Sequence, residues 1–272
     1  MRPCFYRDHR MNYEKGYFSN GNVQYDAAKE LLTLIPTNPR SLLDIGCGSG
    51  KVSHLIYQKV SPKQMLSIDI SQAMLEEVEH RYPSSPIEFR HSDIAQFSSD
   101  ELYDVIISNS SFQWFKNYDA SLNTIRRCLA PNGRLIIQTP YRQIWCPEVT
   151  QLMTAFFSAK YPSLNDEFRL PCMHLESDLA YQHMFESYGF AVENLYTKAF
   201  TYRFSATEFK QFFMSGAYKV YTHKDSYTSE LPTSFEHDLL QYLDQEIKEG
   251  QVYNVTIHRL LISLKNKLFG QK

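Results

Sequence analysis

The chain has 272 residues, 43% of them hydrophobic and 21% charged, with a formal net charge of −2. That balance suits one elaborated α/β domain with a substantial core. The positive residues are scattered, with Lys265, Lys267 and Lys272 the densest group, so a phosphate-tracking surface and a nucleic-acid partner are not expected.

Cysteine usage and the N-terminus bound the setting. Cys4, Cys47, Cys128, Cys146 and Cys172 are odd in number and widely spaced, with no CxxC and no Cys/His pair at zinc-ligand spacing. Free thiols in a reducing cytoplasm and no metal are therefore expected. The first residues are polar and charged, and no later apolar run is long enough to span a bilayer, so no membrane insertion is expected.

In chain order, SLLDIG at 41–46 reads as a buried strand that runs into a glycine-rich turn, and 51–59 as a helix. QMLSIDI at 64–70 is a second strand; Ser71 caps a helix that ends before Pro83. PIEFRHSD and YDVIISN supply strands three and four, 118–129 is helical, and after the Pro131-Asn132-Gly133 turn RLIIQTP is a fifth strand. Five such runs joined by helices predict a doubly wound parallel sheet with helices on both faces. Beyond it the rhythm changes. Helices are expected at 144–161, 175–188, 205–215 and 234–249, with strands at 190–198 and 256–264. Such insertions tend to lie over the carboxyl ends of strands, where ligands bind.

The turn itself is Asp44-Ile45-Gly46-Cys47-Gly48-Ser49-Gly50. A phosphate-binding GxxxxGK[ST] loop fails at Ile45 and at Val52, and a dinucleotide GxGxxG fails at Lys51 or at Ser53. What remains, acidic-x-Gly-x-Gly-x-Gly, resembles the first motif of class I S-adenosylmethionine-dependent methyltransferases. That resemblance implies a seven-stranded Rossmann-like methyltransferase sheet with a helical cap insertion, and S-adenosyl-L-methionine as cofactor. It implies a single domain, 1–272, with a cofactor-binding core at about 38–140, a cap at about 141–250 and a closing strand at about 251–265.

Carried onto this sequence, the resemblance assigns cofactor-binding roles to Asp44, Gly46, Cys47, Gly48, Gly50 and Asn109. Asp44 would compensate the ammonium group, Asp69 would accept from the ribose hydroxyls, Ile70 and Met74 would flank the adenine, and Asp93 with Ile94 would meet its amino edge. The loop after the fourth strand, Asn109-Ser110-Ser111-Phe112-Gln113-Trp114-Phe115, resembles that of small-molecule carboxyl O-methyltransferases acting on trans-aconitate, malonyl-carrier protein or juvenile-hormone acid. NVQYDAAKELL at 22–32 is similar to the N-terminal helix of the last type, with Gln24 as the residue that helps hold a carboxylate.

A carboxylate acceptor, ionised at neutral pH with a pKa near ~4, requires no general base. Neutral donors suffice, and Trp114 and Gln24 are the expected pair, with the hydroxyls of Tyr17 and Ser110 as further donors. The partner is then a small-molecule acid, free or bound to a carrier protein. Candidate cations for a polyanionic substrate are Arg142, Arg169, His174, Arg203 and His258. An apolar tail would instead use Phe156, Phe157, Phe212, Phe213 and Tyr218, whose spacing also suits ordinary helix packing. A C-, N- or phenol O-methyltransferase, an RNA methyltransferase and a non-catalytic cofactor-binding module remain the alternatives.

Overall fold

The computed structural model describes residues 22–267. Seven strands form one sheet in the order β3-β2-β1-β4-β5-β7-β6. They are β1 (Ser41–Ile45), β2 (Gln64–Asp69), β3 (Glu88–His91), β4 (Tyr103–Asn109), β5 (Leu129–Pro140), β6 (Phe190–Ser205) and β7 (Val252–Asn266). The pairings β1–β2, β1–β4, β2–β3 and β4–β5 are parallel, and β7 runs antiparallel to β5. The expected doubly wound sheet is thus present.

The period-two alternation of the central strands sorts their side chains onto two faces. Leu43, Ile45 and Ile106 pack with Leu122 and Ile125 of α4 (Tyr118–Cys128) and with Tyr181 and Phe185 of α7 (Asp178–Ser187). On the other face Leu42, Val105 and Ile107 meet Leu31 of α1 (Asn22–Leu32) and Ile56 and Val60 of α2 (Lys51–Val60). α3 (Gln72–Arg81) begins as expected, with Ser71 Oγ accepting from Met74 N.

Two compact units divide the chain. One holds 24–142, 173–198 and 259–267; the other holds Val23, 143–172 and 199–258. The second unit contains α5 (Pro147–Lys160), α6 (Pro162–Glu167), α8 (Ala206–Phe212), α9 (Tyr218–Tyr221) and α10 (Phe235–Glu246). Its core is aromatic, with Phe156, Phe157, Phe213 and Phe235 nearly or fully buried.

Three elements differ from expectation. The Pro131-Asn132-Gly133 turn lies inside β5: Tyr103 pairs with Leu129 and Val105 with Arg134, so the intervening residues bulge from the ladder. β6 extends to Ser205, because its alternating half-exposed pattern is that of an edge strand and demands no apolar run. The helix expected at 205–215 gives way after Phe212 to a π-type turn at Phe213–Ala217 that contains Gly216. α6 and α9 were not expected; both are too short to show a helical period.

Candidate functional site

Four strand ends build the site, all within the sheet unit. Gly46 and Cys47 donate their amides to Ile68 O at 2.8 and 3.1 Å, which seats the glycine-rich turn on the end of β2. Asp69, the last residue of β2, closes that contact: its Oδ2 accepts from Gly48 N at 2.7 Å and its Oδ1 from Ser71 N at 2.8 Å. Asp69 O accepts from Ser92 N at 3.0 Å, and Asp93 Oδ1 accepts from Ala95 N at 2.9 Å. The three carboxylates read from the sequence therefore stand at the carboxyl ends of β1, β2 and β3, with two of them tied directly to backbone.

Gly46 and Gly48 are needed for different reasons. Both have positive φ, 76° and 53°. A Cβ on Gly46 would sit 2.3 Å from Ser111 Cβ, so this glycine lets the β4 loop lie against the turn. Ser111 uses that closeness, donating to Ile45 O at 2.5 Å with its Oγ 2.6 Å from Ser108 Oγ. A Cβ on Gly48 would meet no protein atom within 4 Å. The turn thus presents an open backbone surface beside a β2 carboxylate, which fits a nucleoside with paired hydroxyls.

Asp44 is buried, and Ser53 Oγ donates to its Oδ2 at 2.6 Å. Burial pushes its carboxyl up to about 7, the Ser53 bond opposing and the Asp69 charge adding to the rise. Burial likewise raises the Cys47 thiol, with Asp44 and Asp69 adding to it, so Cys47 is no nucleophile. Ile70 is 56% exposed and Met74 half-buried, suiting both to cover a flat ring. Ile94 packs into the core cluster beside Phe97, which leaves Asp93 as the polar member of that pair.

The β4 loop is tied to α1 and to β5. Asn109 Nδ2 donates to Gln24 O at 3.4 Å, bringing those two together through the backbone of α1. Trp114 ends a single 3-10 turn (Phe112–Trp114); Phe112 is fully buried and Trp114 is 47% exposed. Ser110 Oγ donates to Gln138 Oε1 at 2.6 Å, so its proton is engaged within the protein. Tyr17 lies outside the described residues.

Three of the cations expected near a substrate, Arg142, Arg169 and His174, have local partners. Arg142 stacks on the Tyr141 ring at 4.4 Å, Arg169 Nη1 donates to Asp166 O and Phe168 O, and His174 Nε2 lies 3.9 Å from Glu176 Oε1. Arg203 is exposed and His258 half-buried. Phe156, Phe157, Phe212, Phe213 and Tyr218 are core residues of the second unit.

The sequence shows Ser111 and Gln113 only as members of the loop motif and does not single out Gln138, because Ile45, Thr139 and Ser110, which they respectively meet, are distant in sequence. His54 is not singled out either: its Nδ1 meets Gly50 O at 2.8 Å, its Nε2 meets Ser85 Oγ at 3.0 Å, and its ring stacks on Tyr82 at 3.7 Å. The spacing His54–Gly50, one helical turn, was the available signal.

Comparison with known proteins identifies the family. Residues 19–195, more than half of the chain, match a family described as a methyltransferase domain. Over 262 residues the chain is 24% identical to a malonyl-[acyl-carrier protein] O-methyltransferase of Acetivibrio thermocellus, covering 93% of this chain and 90% of the relative. It is 35% identical over 102 residues to a trans-aconitate 2-methyltransferase of Acidovorax sp., a match that spans only 39% of that relative. Among solved structures, a methyltransferase in complex with the Trm112 activator of Haloferax volcanii aligns with a TM-score of 0.58 at 14% identity over 97% of each chain. A Thiobacillus denitrificans enzyme holding S-adenosyl-L-homocysteine aligns at 0.50 and 15% identity over 89% of this chain and 91% of that one. The turn with its β2 carboxylate, the strand order and the family match together place this chain in the methyltransferase domain family, as an S-adenosylmethionine-dependent methyltransferase.

Proposed function

We propose that the protein methylates a carboxylate oxygen of a small acid to give a methyl ester. The carrying observation is the β4 loop, Asn109 to Phe115, which offers amides, hydroxyls and a half-exposed indole but no histidine and no acid. An amine or phenol must lose a proton to attack, and a base near the acceptor is the usual means. A carboxylate, with a pKa near ~4, is already an anion at neutral pH and asks only to be held and desolvated. S-adenosylmethionine, when bound, supplies the methyl group on a sulfonium, so transfer leaves a neutral ester and a neutral thioether with no proton to place.

The residues divide accordingly. Asp69 keeps lone pairs beyond its two backbone bonds for the ribose hydroxyls, Asp93 faces the adenine edge, and Ile70 and Met74 cover the ring. Asp44 supplies negative charge below the ammonium group. Asn109 completes the cofactor side, and Trp114 with Gln24 orients the acceptor. Cofactor contacts are assigned to about 38–140 and acceptor selection to about 141–250, within one functional domain acting in the cytoplasm. The two relatives above are named for malonyl-[acyl-carrier protein] and trans-aconitate, both acids, which supports the acceptor class and leaves free and carrier-bound acids as the two forms to test.

The test uses radiolabelled S-adenosylmethionine with trans-aconitate, malonyl-carrier protein, medium-chain fatty acids and farnesoic-type acids. Base-labile, volatile label on one of them is expected, as a methyl ester releases methanol in alkali. Trp114→Ala should lower turnover by about ten-fold or more, the scale of one lost orienting bond, while S-adenosylhomocysteine binding persists. Base-stable label on another acceptor, with none on any acid, would refute carboxyl transfer.

A further inference from the structure

Ser110 is one of three described non-glycine residues with positive φ, at 59°, and it opens the acceptor loop. Left-handed backbone is uncommon for serine and persists only where surrounding groups over-determine it. Here all three of its polar groups are held. Its amide donates to Gln138 O at 2.9 Å, its hydroxyl to Gln138 Oε1 at 2.6 Å, and its carbonyl accepts from Gln113 Nε2 at 2.9 Å. The two glutamines are themselves buried, at 0% and 5% exposure. Gln113 is held in turn, since Thr139 Oγ1 donates to its Oε1 at 3.2 Å and Met173 N to its carbonyl at 2.9 Å.

Two buried amides, Gln138 near the carboxyl end of β5 and Gln113 in the 3-10 turn after β4, are costly where leucine would pack, and Gln138 Nε2 has no partner among the described residues. Burial energy therefore does not account for them. What they accomplish is geometric: they keep Ser110 in a strained turn immediately before Phe112, which anchors in the core, and Trp114, which faces solvent. We propose that Gln113 and Gln138 are positioning residues that clamp Ser110 and so fix the direction in which the loop presents Trp114 to the methyl acceptor. The clamp's own bonds join Ser110 to Gln113 and Gln138 and none of them reaches the glycine-rich turn, which Ser111 touches instead, so its loss should act on the acceptor more than on the cofactor. Its effect on turnover rests on the acceptor role proposed above for this loop; its effect on loop order does not.

The chain has two tryptophans, Trp114 and Trp145. In a Trp145→Phe background Trp114 alone fluoresces and reports on the loop. Gln138→Leu and, separately, Ser110→Gly should lower its fluorescence anisotropy and at least double its quenching by acrylamide, with S-adenosylhomocysteine affinity within about two-fold of the parent. Ser110→Gly relieves the strain but leaves the buried Gln138 Oε1 without its donor, two opposed effects of comparable size, so it should loosen the loop while moving the unfolding temperature by only a few degrees. Ser110→Asn tolerates positive φ and keeps a donor for Gln138, so it should restore anisotropy. On an acid that the parent methylates, the loosened variants should lose kcat by ten-fold or more. Unchanged anisotropy and quenching in both variants would overturn the clamp, as would a loss of S-adenosylhomocysteine affinity as large as the loss of loop order. If no acid is methylated, the carboxyl reading fails, and the fluorescence result still decides the clamp.

Discussion

Asp44 ties the stability of the fold to pH through one buried side chain. In the unfolded chain its proton leaves near the ordinary aspartate value of 3.8, whereas the native state keeps it up to about 7. Between those values the native state binds more protons than the unfolded state, so stability falls as pH rises, and above about 7 the loss is complete. Asp44→Asn keeps the shape and the acceptor for Ser53 but never ionises. At pH 8 it should raise the unfolding temperature of the ligand-free protein by several degrees, with an upper bound of roughly 4 kcal/mol at 1.36 kcal/mol per pKa unit. The same change should weaken S-adenosylmethionine binding on the order of ten-fold, since a cation then meets a neutral amide. Calorimetric affinity of the parent should rise as pH rises through about 7, and the Asn variant should lose that rise; a parallel pH profile in both would remove Asp44 from the binding site.

Gly46 makes the companion case for contact. Gly46→Ala places a methyl group 2.3 Å from Ser111 Cβ at a φ of 76°, so a loss of about 3 kcal/mol or more is expected in denaturant titration. Adding Ser111→Gly should recover part of it, because only the clash is relieved. The turn and the three aspartates were legible because each is a local pattern at a strand end. The need for Gly46 to face Ser111, and for Ser110 to face Gln138, was not: those pairs are joined by the sheet and not by sequence spacing.

Among the elements, the central strands are legible because they are buried on both faces and carry short β-branched and leucine runs, Leu42-Leu43 and Val105-Ile106-Ile107, next to glycine or turn residues. β6 was cut short because it is an edge strand whose polar residues serve the sheet. Glu193 on β6 accepts from Arg134 on β5 at 2.7 Å and pairs with Lys265 on β7 at 2.5 Å, so one carboxylate ties three strands. The group is part-exposed, so each pair contributes about 1 kcal/mol or less. Glu193→Gln should lower the unfolding temperature by a few degrees in low salt and by less in 1 M salt, where charge is screened. No dependence on salt would show that packing alone holds this edge.

In the whole molecule, the sheet unit is assembled from three separate stretches of chain, 24–142, 173–198 and 259–267, and the second unit is drawn largely from the stretches between them. No helix among the described residues is long and apolar enough to cross a membrane. The division was hard to foresee because β6 and β7 each contribute residues to both units, so no linker or change of composition marks a boundary. β7 lies between β5 and β6 in the sheet although it follows both in the chain. Until residues 252–266 have been translated, β5 presents a bare hydrogen-bonding edge lined by Leu135 and Ile137, and β6 has no strand to join. An open apolar edge invites pairing with a neighbouring nascent chain, so a growing chain of this order is exposed to such pairing until β7 is in place.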